Sequence, residues 1–314
     1  MKVSPSVLAW ADYLGLAVAL GGLVLYFSLT TENFLSPVNF KTIANQIPAD
    51  LVIAVGMTLV LISGGIDLSV GSVLALSAAV FGVVLARDNA SFPLAAAACL
   101  ITGFACGSAN ASLISYMKVP SFVVTLGMLE VARGSTFLVT DSQTQYLGER
   151  VEWIAAELFM GISAPAIIAV LVLAVAHVAL TTTPFGRRLL AMGQNEEAAR
   201  LSGIPVRRIR WIVFVLAGLL AGLGAILHTA RLSAADPNAG IGLELRAIAA
   251  VVIGGTSLAG GRGSVIRSGI GVVLIAVLGS GLAQSGAQEP VKRLITGLVI
   301  VGAVVLDQLR RRAR

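Results

Sequence analysis

AVGMTLVLISGGIDLSVGSVLALSAAV, residues 54–80, decides the fold. Two apolar runs flank Ser63-Gly64-Gly65-Ile66-Asp67-Leu68-Ser69, and each is helix-length rather than strand-length. Outward from this stretch the pattern repeats. Apolar runs cover 10–30, 47–63, 69–86, 93–116, 120–139, 164–181, 210–230, 244–259, 265–284 and 291–307. A helix needs about 20 apolar residues to cross a bilayer, so the 314 residues have room for about ten spans with short loops. Hydrophobic residues make up 57% of the chain and charged ones 12%, against about 25% charged in a soluble domain. Mean hydropathy is +0.91. The fold class is an all-α polytopic membrane protein, a single domain over 1–314. Composition excludes a typical cytosolic enzyme, a disordered chain and a disulfide-stapled scaffold.

The chain carries a net charge of +6 and has a pI near 9.8. In a soluble protein this balance points to nucleic acid. Here it reads as the excess of Arg and Lys that membrane proteins keep on the cytoplasmic side. With the N-terminus inside, 14 of the 22 basic residues fall in inside segments and 7 outside, with Arg133 within a span. Both termini are therefore expected in the cytoplasm. The first apolar run lacks a small-residue cleavage site and reads as a retained span.

None of the four Lys lies in a phosphate-binding P-loop, and no H-E-x-x-H, G-x-S-x-G or C-x-x-C is present, so no catalytic set and no metal site emerge. Cys99 and Cys106 stand about 10 Å apart along one helix, too far for a disulfide.

Two segments stand outside the spans. Residues 140–163, on the outside, combine Asp141, Glu149, Glu152 and Glu157 with Trp153, a pattern that suits a short helix at the interface. Residues 182–209 form the longest inside loop. Within it Asn195 is a good N-cap, Glu196 and Glu197 occupy the first turn where carboxylates suit the helix dipole, and Ala198, Ala199, Arg200 and Leu201 continue the helix. Ser202 follows, Gly203 can close the helix in a left-handed conformation, and Pro205 forbids its continuation. A helix this short is marginal alone. It packs either on its own membrane domain or on a cytoplasmic partner.

Inside the membrane, Asp67 is costly unless paired or wetted. Gly64, Gly65 and Gly71 permit a break, and Ser69 adds a hydroxyl. The segment reads either as a capping turn at the cytoplasmic interface or as a broken helix lining a polar pathway. A second break, Gly254-Gly255-Thr256-Ser257-Leu258-Ala259-Gly260-Gly261, resembles it. Both contain Gly-Gly-x-x-Leu and run on to Gly-Ser-Val, at 71–73 and at 263–265, which fits an internal repeat or chance in a chain with 34 glycines. Glu130 and Arg133 are spaced for an i,i+3 ion pair.

Four blocks carry a family resemblance: residues 54–80 above, VPSFVVTLGMLEVARG at 119–134, FGRRLLAMGQNEEAARLSGIPV at 185–206, and ARLSAADPNAGIGLELRAIAAVVIGGTSLAGGRGSV at 230–265. Together they resemble, in order and over nearly the whole chain, the permease subunits of the ribose/xylose/arabinose-type bacterial ABC importers. The resemblance implies a cobalamin-importer-like (type II) permease fold in the bacterial inner membrane. It implies a homodimer or heterodimer with a second permease subunit, an ABC ATPase subunit that supplies ATP and magnesium chemistry this chain lacks, and a periplasmic sugar-binding protein. Residues 195–203 then become the coupling helix of loop 182–209, resting in a groove of the ATPase, and 140–163 becomes periplasmic. The outer basic residues Lys41, Arg231, Arg246, Lys292 and Arg293 become candidates for docking the binding protein through its surface carboxylates. The competing class is an ion-coupled secondary transporter acting without an ATPase, with Asp67 and Glu130 carrying protons or cations.

Overall fold

The computed structural model describes residues 5–87, 90–159 and 161–312. The elements run α1 (Pro5–Thr30), α2 (Pro37–Gln46), α3 (Pro48–Ile62), α4 (Val70–Ala86), α5 (Phe92–Ser115), α6 (Ser121–Thr140), β1 (Gln145–Tyr146), α7 (Glu149–Ala155), β2 (Glu157–Phe159), β3 (Ile162–Ser163), α8 (Ala164–Thr182), α9 (Pro184–Gln194), α10 (Glu196–Leu201), α11 (Val206–Leu232), β4 (Ala234–Ala235), α12 (Leu243–Ile253), α13 (Val265–Gln284) and α14 (Glu289–Arg312). Helices occupy all ten apolar runs. Among the described residues six are long and apolar enough to cross a membrane, or seven if α2 and α3 form one bent span. That pair bends by 46° at Ile47, where Pro48 lacks the N–H that would continue the ladder. The 244–259 run is helical only to Ile253, because Gly254 and Gly255 end it.

α11 is the central pillar, packed against α5, α3 and α4. Two small-residue motifs make its closest contact: Gly103 and Gly107 of α5 face Gly218 and Gly222 of α11. A Cβ at Gly103 would fall on the Gly218 carbonyl oxygen, and one at Gly218 on the Gly103 carbonyl. In lipid, where apolar side chains gain little by meeting each other, such close backbone approach supplies the packing energy.

Residues 140–163 contain the expected short helix, α7. Its Trp153 stacks edge-on against Phe92 at 5.2 Å. β1 pairs with β4, Gln145 opposite Ala235. From there the chain runs non-helically along α4. Ala235 abuts Gly82, and the Gly240 carbonyl abuts Gly71, eleven residues or about 16 Å along that helix. Irregular backbone at this depth needs internal partners. Arg133 supplies them: its Nη1 donates to the carbonyls of Pro237 and Ala239, 2.9 Å each. The expected Glu130–Arg133 ion pair is replaced by this backbone clamp.

Candidate functional site

Thr183 and Pro184 start α9. Thr183 Oγ1 accepts from the Gly186 N–H, and Pro184 fills the first turn. Its far end lands on both helix breaks. A Cβ at Gly193 would fall on the Ile62 carbonyl oxygen and on the Gly261 nitrogen, which are themselves hydrogen-bonded at 2.9 Å. Gln194 adds a bond from Nε2 to the Gly261 carbonyl, 3.4 Å. Asn195 then serves two helices. Its N–H bonds the Ala191 carbonyl to close α9, and its Oδ1 accepts from the Ala198 N–H at 3.0 Å to open α10. Gly203 adopts φ +80°, and the Ile204 N–H reaches back to the Ala199 carbonyl, a left-handed helix stop. Asn195 and Gly203 thus act as their types demand.

Glu196 forms a bidentate pair with Arg210 of α11, 2.5 and 3.2 Å, and the Arg210 guanidinium holds the Glu196 carboxyl below the usual carboxylate range. The two adjacent alanines of α10 face different ways. Ala198 is exposed, whereas Ala199 is 4% exposed and sits in a cluster with Ile62, Met192 and Val206. One helical step of about 100° separates them, and the inward place goes to the position that fits under the helix. The outward face carries Glu197, Arg200, Ser202 and Leu201, the last 80% exposed.

In the first break Asp67 is buried. Its Oδ1 accepts from the Ser69 N–H at 2.8 Å and from the Ser69 hydroxyl at 2.6 Å. Ser69 Oγ accepts in turn from Asn110 Nδ2 at 3.0 Å. Asp67 therefore closes a turn just before α4 rather than capping its first turn. Ser121 and Thr125 of α6 bond the backbone of the break at Ile66 and Leu68. Ser121 Oγ accepts from the Ile66 N–H at 3.0 Å, and Thr125 Oγ1 accepts from the Leu68 N–H and bonds the Ile66 carbonyl. Gly65 lies against the Phe214 ring, and Gly71 against Gly240. In the second break Thr256 Oγ1 meets Ser268 Oγ, which accepts from Thr58 of α3, and the Ser257 N–H bonds the Arg262 carbonyl.

The two breaks share a helix stop rather than a sequence register. Gly64 N–H bonds Leu61 and Gly65 N–H bonds Val60, as Gly255 bonds Val252 and Thr256 bonds Val251. Gly64 (φ +79°) thus matches Gly255 (φ +81°), one residue off the Gly-Gly alignment.

Replacing Asp67 by Leu strands two buried donors, each worth about 1–3 kcal/mol. Asp67→Asn keeps an acceptor. The expected result is markedly lower folded yield or uptake for Asp67→Leu than for Asp67→Asn, checked by fluorescence-detected size exclusion and vesicle uptake. Equal behaviour would remove Asp67 from the site.

At the opposite end, Arg246, Lys292 and Arg293 gather with Asp50 and Glu289 around a cavity of about 500 Å³ between α3, α12, α13 and α14. Glu289 pairs with Lys292 at 3.8 Å and Arg293 at 3.7 Å. Arg231 ends α11 nearby, within electrostatic reach of Asp50. Lys41 stands apart, 3.9 Å from Glu157. Among the described residues no three His, Cys, Asp or Glu side chains come together to hold a metal ion.

Sequence reading missed Asn110, Ser121, Thr125 and Gly193. The i,i+4 spacing of Ser121 and Thr125 places both hydroxyls on one helix face, a signal that was available. Nothing local marks Gly193, whose constraint comes from Ile62 and Gly261, both distant in the chain.

Comparison with known proteins adds the family. Residues 39–304 match the model described as "Branched-chain amino acid transport system / permease component". The chain is 40% identical to the ribose import permease protein RbsC of Bacillus subtilis (strain 168), over 94% of this chain and 91% of that one. It is 38% identical to RbsC of Escherichia coli (strain K12), over 96% of each. The L-arabinose ABC transporter permease protein AraH of Azospirillum brasilense is 36% identical over 93% of this chain and 87% of its own. With a match that runs through both helix breaks and the loop between α8 and α11, the chain belongs to the branched-chain amino acid transport system / permease component family, as a relative of ribose and arabinose permeases.

Proposed function

We propose that this chain is the permease subunit of an ATP-driven importer of a ribose-like monosaccharide. The observation that carries the reading is the 38–40% identity to two ribose import permeases over 94–96% of the chain. In this reading α10, with Asn195 to Gly203, is the coupling helix. It rests on a separate ABC ATPase, which binds the ATP and magnesium. The basic residues at the opposite end, Arg231, Arg246, Lys292 and Arg293 with Lys41 beside them, meet a periplasmic sugar-binding protein. A second permease subunit completes the pathway in the inner membrane, with both termini in the cytoplasm. The geometry supports the division of labour. α9 connects α10 to both helix breaks through Gly193, Gln194 and Gly261, so a push on α10 reaches the ends of α3 and α12.

Reconstitution tests the reading. Vesicles holding the permease, its ATPase and its binding protein should accumulate labelled ribose or another pentose only with ATP present. Uptake by the permease alone under a proton or sodium gradient would replace this function with the ion-coupled alternative.

A further inference from the structure

At the end that carries α9 and α10, a second cavity of about 310 Å³ lies between α5, α6 and α11. Its wall is cationic. Lys118, Arg207 and Arg210 face one carboxylate, Glu196. Glu196 is engaged by Arg210, while Lys118 and Arg207 have no hydrogen-bond or ion-pair partner among the described residues. α6 and α11 both begin at this wall, through Pro120 and Ser121 and through Arg207, and neither has a side-chain N-cap. The positive ends of two long helix dipoles therefore converge on the same space.

An independent observation points to a ligand. Ser115, on the same wall, is 2% exposed, and its Oγ has no hydrogen-bond partner. Serine at a helix end normally bonds a carbonyl one turn back, and an unmade buried hydroxyl bond is costly. A group that accepts from Ser115, Lys118 and Arg207 together is an oxyanion with several acceptor atoms. The cavity lies where the apolar helices α5, α6 and α11 end, and the ends of membrane-crossing helices are where charged lipid headgroups are met.

We propose that this cavity binds a phosphate-bearing anion, with Lys118, Arg207 and Ser115 Oγ as donors. The chemistry fits the phosphate of an anionic phospholipid headgroup and equally a free phosphate. Glu196 of α10 lines the same cavity, paired with Arg210, so an occupied site borders α10 directly. The inference is independent of which solute the protein carries.

The test uses the full-length permease in detergent. Native mass spectrometry would compare retained phosphatidylglycerol with retained phosphatidylcholine, and thermal unfolding would be followed with and without inorganic phosphate. Wild type is expected to prefer phosphatidylglycerol. Lys118→Gln/Arg207→Gln should lower that preference about tenfold or more, since it removes two charge-assisted bonds. Ser115→Ala, which removes a single hydroxyl and leaves the charges, should weaken it less, and Arg293→Gln at the other end should not change it. Loss of preference in the double variant identifies the lipid as the source. Thermal stabilisation by phosphate in wild type, absent in the double variant, identifies the free anion. If the double variant and Ser115→Ala both match wild type in lipid retention and in response to phosphate, no such site exists.

Discussion

Leu201→Asp will abolish ATP-driven uptake while leaving the permease folded and inserted. Leu201 is 80% exposed on a six-residue helix outside every apolar run, so its own domain gains nothing from it. An exposed Leu on the outward face of α10, beside Glu197 and Arg200, is a natural anchor for a groove in a partner. Truncating an anchor at the centre of an interface costs about 2 kcal/mol or more, or roughly 30-fold in affinity, and a buried carboxylate adds to that. Association with the ATPase, measured by titration on permease in nanodiscs, should fall by at least that factor with an unchanged unfolding midpoint. Ala199 is the wrong place to test contact. It lies beneath the helix, so Ala199→Trp overpacks the cluster around Met192 and Val206 at a cost of about 1–3 kcal/mol and mixes misfolding with lost docking. Asn195→Ala removes a cap worth about 1 kcal/mol, and partial function should survive. If Leu201→Asp binds the ATPase as wild type does, α10 is packed on its own domain only and the coupling assignment fails.

What was legible in the sequence was local. Asn195, Glu196, Gly203 and Pro205 state where α10 starts and stops, because capping and left-handed closure depend on a few adjacent residues. Asp67 with its flanking glycines marked an interruption between two apolar runs for the same reason. The expectation failed where the answer lay across the chain. Arg133 was paired with Glu130, its neighbour one turn away, but backbone carbonyls of an irregular segment need a donor more than Glu130 needs a partner, and Pro237 and Ala239 took it. α9 was missed although Thr183-Pro184 is a good helix start, because its amphipathic pattern lies on the surface between apolar runs. The inward side of α10 was unreadable, since two adjacent alanines look alike until the tertiary packing distinguishes them. Burial also accounts for the apparent repeat. Both breaks stop a buried helix with a left-handed glycine, and the same physical demand produces similar letters one residue out of register.

Gly193 leads to the second large effect. Its backbone is helical, so conformational freedom is not what the position requires. Space is. Any Cβ there meets the Ile62 carbonyl and the Gly261 nitrogen, and these two atoms form a backbone hydrogen bond that joins the first break to the second. Gly193→Ala must either move the end of α9 or part that bond. Overpacking costs about 1–3 kcal/mol, and a lost buried hydrogen bond adds about 1 kcal/mol. The outward face of α10 is untouched, so the variant should still bind the ATPase. With α9 displaced, motion of α10 no longer reaches the ends of α3 and α12. ATP hydrolysis by the assembled complex should therefore persist while uptake falls about tenfold or more, an uncoupled phenotype read by measuring both rates on the same vesicles. Gly203→Ala provides the contrast. It strains a left-handed residue with no atom nearby, costs about 1 kcal/mol, and loosens only the end of α10. Hydrolysis and uptake should then decline together through weaker ATPase binding. If Gly193→Ala keeps wild-type uptake per ATP hydrolysed, the contact between α9 and the two breaks is structural only, and force must enter the membrane domain by another route, the Glu196–Arg210 pair to α11 being the one the structure offers.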